Sequence, residues 1–243
     1  MAIDLKSIQR GKHMAPPRVF LYSTHGIGKS TWASCAPNPI FIQTEDGLGG
    51  IDTASFPLAT SSDEVLEAIG TLYSEKHDFQ TVVLDSADWL ENILQKEIEA
   101  KYDAKDLAYG KGAMILADKW REVLAGLNAL RNDKGMIVII LGHSEIKRFD
   151  SPETESYDRY QPKLQARASA LVQEWADCVF FANYKTIVKK EDVGFNKTNN
   201  RGISNGDRVI YTSETPAFLA KNRFALSSPI PFTWEAFESA LTN

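Results

Sequence analysis

Residues 23–31 read Ser-Thr-His-Gly-Ile-Gly-Lys-Ser-Thr. This is the second half of the phosphate-loop pattern G-x-x-x-x-G-K-[ST]. Gly28, Lys29 and Ser30 fall in register, while Ser23 stands where the pattern has its first glycine. Such a loop binds phosphate with backbone N–H groups, here those of Thr24, His25, Gly26, Ile27, Gly28, Lys29, Ser30 and Thr31. Gly26 and Gly28 let the chain come close to the ligand. The Lys29 ammonium can reach the β- and γ-phosphates of a nucleoside triphosphate, and the Ser30 hydroxyl can ligate Mg²⁺. The chemistry on offer is therefore that of ATP with Mg²⁺.

Three further groups belong at the terminal phosphate. Asp85 closes the apolar run Val82-Val83-Leu84, where a carboxylate can hold Mg²⁺. Capping of the next helix by Asp85 or Ser86 is the alternative use of the same residues. Glu45 and Asp46 follow Phe41-Ile42-Gln43, at the carboxyl edge of a strand, where open α/β sheets bind ligands. Glu45 is the choice for orienting and activating the attacking water. A solvated acidic turn before Gly47 is the plainer reading. His143 ends the run Met136–Leu141 plus Gly142, and can donate a hydrogen bond to the γ-phosphate.

These residues need elements to hold them. Val19–Tyr22, Pro39–Gln43, Thr81–Leu84, Met136–Leu141 and Cys178–Phe181 are apolar runs of strand length. Helical periodicity lies between them. Ser61 and Glu64 form a capping box ahead of Val65, Leu66, Ile69, Leu72 and Tyr73. Trp89, Leu90, Ile93, Leu94 and Ile98 mark a second helix; Leu116, Trp120, Val123, Leu124, Leu127 and Leu130 mark a third. Alternating apolar strands and amphipathic helices specify an α/β fold, a mostly parallel sheet sandwiched by helices. Residues 185–215, rich in Lys, Asn, Gly and Thr, predict an antiparallel extension with a strand at Arg208–Thr212, and residues 234–241 a last helix. Residues 1–17, ending in Pro16-Pro17, read as a flexible arm before a single domain over 18–243.

Of 243 residues, 43% are hydrophobic and 24% charged, and the net charge is −5. That excludes a protein that coats nucleic acid through bulk positive charge, though not a local basic strip. Cys35 and Cys178 are too few and too far apart for a metal set or a disulfide framework, and read as buried thiols in a reducing compartment. No apolar run is long enough to span a membrane, and the first residues lack a signal-peptide core. A cytoplasmic protein is expected.

Lys29-Ser30, Thr44-Glu45-Asp46-Gly47, Asp85-Ser86 and Gly142-His143 together resemble a RecA-type ATPase core. The likeness is to phage-encoded nucleotide-binding proteins of the AAA-like group, some of them shortened RecA-like single-strand annealing recombinases. It runs from about Arg18 to Thr233, with Tyr109-Gly110, Ala176-Asp177 and Ala220-Lys221-Asn222-Arg223 in support. The resemblance implies an oligomer, ring or filament, in which Lys221 and Arg223 of one subunit reach the γ-phosphate held by its neighbour, as arginine fingers do. It also implies two segments facing single-stranded DNA. One is about 102–113, with Lys105, Tyr109 and Lys111; the other is about 145–168, with Lys147, Arg148, Arg159, Tyr160, Lys163 and Arg167. Aromatics among cations suit base stacking with phosphate contact. The second segment has five cations and five carboxylates between Glu145 and Arg167, so its expected affinity is modest and salt-sensitive. The region from Lys185 to Arg223 carries eight cations against four carboxylates and is another candidate surface. The leading expectation is an ATP-hydrolysing phage recombination protein acting on single-stranded DNA. The alternative is a nucleotide-dependent loader or adaptor for a helicase or a single-strand binding protein.

Overall fold

A computed structural model describes residues 15–192 and 198–242. Five consecutive parallel strands form the centre of the sheet: β7 (Cys178–Asp192), β1 (Arg18–Ser23), β5 (Ile137–Phe149), β4 (Thr81–Asp85) and β2 (Pro39–Gln43). The two-residue β3 (Ala54–Ser55) closes one edge in parallel. On the other side β8 (Thr198–Tyr211) pairs antiparallel with β7, and β10 (Ile230–Pro231) with β8. The short β9 (Lys221–Asn222) lies antiparallel to the start of β7. Both the parallel core and the antiparallel extension are thus as expected.

Strand period decides the two layers. Phe20, Tyr22, Val82, Leu84, Val138 and Ile140 face one way, against α2 (Ser62–Ser74), α3 (Ala87–Lys101), α4 (Lys111–Lys134) and α5 (Ala166–Trp175). Val19, Leu21, Phe41, Val83, Ile139 and Leu141 face the other, against α1 (Lys29–Ser34) and α6 (Trp234–Thr242). A strand buried on both faces must be apolar at every position, hence runs rather than alternation. The capping box at Ser61 and Glu64 is formed, and α2 starts where the sequence placed it.

Four expectations change. The strand after Met136 does not stop at Ser144: β5 continues to Phe149 and pairs antiparallel with β6 (Tyr157–Pro162). The segment over about 145–168, expected to face single-stranded DNA, is thus a hairpin, a short connection and the first turn of α5. Ladder pairing satisfies its backbone where burial ends, so polar side chains did not end the strand. Trp89 and Tyr73, placed on apolar helix faces, are exposed, because the stripes of α3 and α2 are narrower than their hydrophobic residues suggest. Cys35 is exposed rather than buried, because α1 is only six residues long and Cys35 caps its end. The strand expected over Arg208–Thr212 is the last part of the longer β8, with a bulge at Tyr184/Thr186 in its partner β7. Of the expected arm 1–17, residues 1–14 lie outside the described residues; the Pro16 carbonyl accepts a hydrogen bond from Arg131 Nε at 2.6 Å.

Candidate functional site

The carboxyl ends of β1, β4 and β2 and the middle of β5 stand side by side, and every group singled out for phosphate chemistry except Lys221 and Arg223 is on or just beyond them. β1 ends at Ser23, which is fully buried and spends its hydroxyl on the Thr24 carbonyl at 2.9 Å. The residue replacing the pattern's first glycine therefore belongs to the strand, paired with His143 on one side and Ala182 on the other. The chain then turns through Gly26 (φ 72°) and Gly28 (φ 101°), left-handed positions that suit glycine. Gly28 is the N-cap of α1 and supplies no side-chain cap. Ile27 is fully buried in the core and can offer the site only its backbone. His25 is exposed and its ring lies 4.5 Å from that of His143.

Lys29 is buried, at 7% exposure. Burial pushes its ammonium pKa below the usual value, against the opposing pull of Asp85, Asp88 and Glu45. The Ser30 hydroxyl donates to Asp85 Oδ2 at 2.6 Å. Burial and the nearby Glu45 push the Asp85 carboxyl upward, against the Ser30 hydrogen bond and the charges of Lys29 and His143. The ends of β2 and β4 are fastened to each other. Thr44 N–H donates to the Asp85 carbonyl at 2.7 Å, Ser86 N–H to Thr44 Oγ1 at 2.9 Å, and the Thr44 hydroxyl to the Ser86 carbonyl at 2.8 Å. Glu45 is thereby held at the cleft, 3.1 Å from the Ser86 hydroxyl, while Asp46 points to solvent.

Asp88 went unremarked in the sequence. Its carboxylate accepts the His143 backbone N–H at 3.1 Å and takes the His143 ring Nδ1 at 3.0 Å. Burial opposes ionisation of Asp88, but these hydrogen bonds and the imidazole outweigh it and hold the carboxyl below its usual range. Nδ1 is thus occupied, and the ring's other nitrogen is the one left for a ligand. In sequence Asp88 looks like any carboxylate in a first helical turn.

These groups surround a cleft of about 270 Å³, lined by Gly28, Lys29, Ser30, Glu45, Asp85 and His143 among others. The donor set fits a triphosphate with a divalent cation: glycine-opened backbone and a buried ammonium for phosphate, a hydroxyl and a carboxylate in contact for the metal. The AAA domain family profile matches residues 15–224. The chain belongs to the AAA domain family. No curated protein matches it. Among solved structures, the crystal structure of the RadB recombinase is similar at 14% identity over 86% of this chain and 91% of that one, with a TM-score of 0.45.

The remaining candidate residues of this AAA domain lie elsewhere. Lys221 and Arg223 are at the amino ends of the strands, beside Cys178 and Asp177, and cannot reach the cleft of their own chain. The Lys221 ammonium donates to the carbonyls of Gln173, Glu174 and Ala176 at 2.7–3.0 Å, closing the C-terminal end of α5. Arg223 is half exposed and reaches Asp177 at 3.3 Å. Before α4, Tyr109 is fully exposed, Lys105 pairs with Asp103 at 3.5 Å, and Lys111 opens the helix. On the β5–β6 hairpin, Lys147 pairs with Glu145 at 2.7 Å, Arg148 with Asp150 at 3.9 Å and Arg159 with Glu214 at 3.4 Å. Tyr160 stacks on Phe181 with ring centroids 4.9 Å apart, so one ring face is committed to the core. Lys163 and Arg167 are exposed at the start of α5 and just before it.

Proposed function

We propose that this AAA domain binds ATP with Mg²⁺, hydrolyses it, and works as an oligomer on single-stranded DNA, in phage-type annealing or recombination. The observation that carries the nucleotide part is the convergence of Lys29, Ser30, Asp85, Glu45 and His143 on one cleft at the phosphate loop. In this reading Lys29 and the loop N–H groups bind and orient the phosphates. Ser30 and Asp85 hold Mg²⁺, which neutralises charge on the phosphate oxygens when bound. Glu45 orients the attacking water and accepts its proton. His143, steadied by Asp88, faces the terminal phosphate. The test is phosphate release by Lys29→Ala against the parent. A fall of about a hundredfold or more is expected, and equal rates sink the assignment.

The shared site is supported by placement alone. Lys221 and Arg223 stand at the far end of the sheet from Lys29, so any action on a phosphate is on that of a neighbour. Mixing Arg223→Ala with Glu45→Ala subunits tests this, since a site built from two chains regains activity in the mixture. For DNA, the fully exposed Tyr109 and the projecting β5–β6 hairpin offer the surface. One observation favours the second reading, a loader or adaptor for a helicase or a single-strand binding protein: the hairpin cations Lys147, Arg148 and Arg159 are already paired with carboxylates. An oligonucleotide shift assay with ATP separates the two. Binding by the purified protein supports direct action on DNA; binding only after a protein partner is added supports the adaptor.

A further inference from the structure

Arg208 comes from the antiparallel extension, yet its guanidinium lies on the phosphate loop. Nη1 donates to the Ile27 carbonyl at 2.8 Å, across 181 residues of sequence. It also fills the space beside Gly28: a Cβ built on that glycine would meet Nη1 at 2.9 Å. The Phe232 ring lies under the guanidinium, 5.6 Å from it. Phe232 N–H donates back to the Arg208 carbonyl at 3.1 Å. Phe232 in turn stacks on Trp32 of α1, with centroids 6.4 Å apart. Ile27, Arg208, Phe232 and Trp32 therefore close a ring around the start of α1. Apart from this carbonyl and this ring, the guanidinium has no hydrogen-bond or ion-pair partner among the described residues.

We infer that Arg208 is a positioning residue for nucleotide binding, which orders the phosphate loop by holding the Ile27 carbonyl outward. A loop whose N–H groups must all point inward has to turn carbonyls outward, and a left-handed Gly28 with no side-chain cap offers little to hold that conformation. A charge-assisted hydrogen bond supplies the restraint. Arg208 sits at the base of the β7–β8 hairpin, opposite Tyr184, so the loop's order is tied to the seating of that hairpin. Preorganisation acts equally on ground and transition states, so its loss appears in affinity and not in turnover.

The inference rests on the nucleotide reading for its kinetic consequence, not for its structural one. Hydrogen–deuterium exchange over residues 26–31 is measured first, in the nucleotide-free protein, for the parent, Arg208→Ala and Arg208→Lys. Faster exchange in the alanine variant, with the lysine variant between, is the expected result; Arg208→Lys keeps the cation and guards against a simple folding failure. ATP titration then reads KM and kcat, where about a tenfold rise in KM with kcat retained is expected. Unchanged exchange in the loop overturns the inference, and so does a fall in kcat at constant KM. Should the parent bind no nucleotide, the proposed function fails, and the exchange result still decides the role of Arg208.

Discussion

The two ends of the central sheet each hold a buried ionic cluster, and the clusters differ in what they leave open. At the amino ends, Asp177 accepts from the Arg18 backbone, from Arg18 Nε and Nη2, and from Arg131 and Arg223, at 2.8–3.4 Å. Arg18 is itself packed over Trp175. Those hydrogen bonds and the arginine charges overcome burial and hold the Asp177 carboxyl below its usual range. At the carboxyl ends, Asp85 is shifted the other way and Lys29 is pushed down, both by burial. One cluster keeps its acid ionised among three arginines and ties strands together. The other keeps charges in an environment that penalises them, which is how a site spends stability on function.

Replacing the buried acid at each end should therefore act in opposite directions. The largest effect is expected for Asp177→Ala, which strands arginines around an empty position: a loss of about 3 kcal/mol in chemical denaturation, with nucleotide affinity of the folded fraction unchanged. Asp88→Asn acts on turnover rather than on the fold. It loosens His143 while making no hydrogen bond to the phosphate loop, so the larger change should be in kcat for ATP, which should fall about tenfold, read by phosphate release at saturating ATP. Asp85→Asn should raise Tm by about 3 °C at neutral pH while abolishing Mg²⁺-dependent hydrolysis. The signs follow from linkage. Asp85 has its pKa raised on folding, so its ionisation destabilises the fold as pH climbs above the ordinary carboxylate range, and the asparagine advantage should vanish in acid. Asp177 has its pKa lowered, so its contribution is complete above that range and is lost as pH falls through the depressed value. Scans of Tm against pH for the two variants should diverge in these opposite senses; parallel curves would erase the distinction. The smallest effect on the fold is expected for Tyr109→Ala, within about 0.5 kcal/mol of the parent because the side chain is exposed. Only retention of a single-stranded oligonucleotide should weaken.

The cleft was more legible than its supports. Lys29, Ser30, Glu45, Asp85 and His143 announce themselves because each follows an apolar run or a glycine turn, and such sites sit at strand ends. Asp88 and Arg208 carry no such mark. Asp88 is an acid in a helical first turn, and Arg208 is one cation among many in a polar hairpin, 181 residues from the carbonyl it holds. Their partners are set by the sheet order, which local pattern does not encode. The same holds for β5, whose polar second half is held by its partner β6 and not by its own composition. Cys35 and Trp89 show the converse, apolar residue types on surfaces that the fold never covers.

The position of β1 between β5 and β7 also governs when the chain can first work during synthesis. The phosphate loop emerges early, but its strand has no neighbour until Ile137 onward is made, and its second edge stays bare until Cys178–Ala182 follows. A nascent chain released before that point would present β1 as an open edge ready to pair with a stranger. Truncated products ending before Cys178 should therefore be found aggregated or with chaperones.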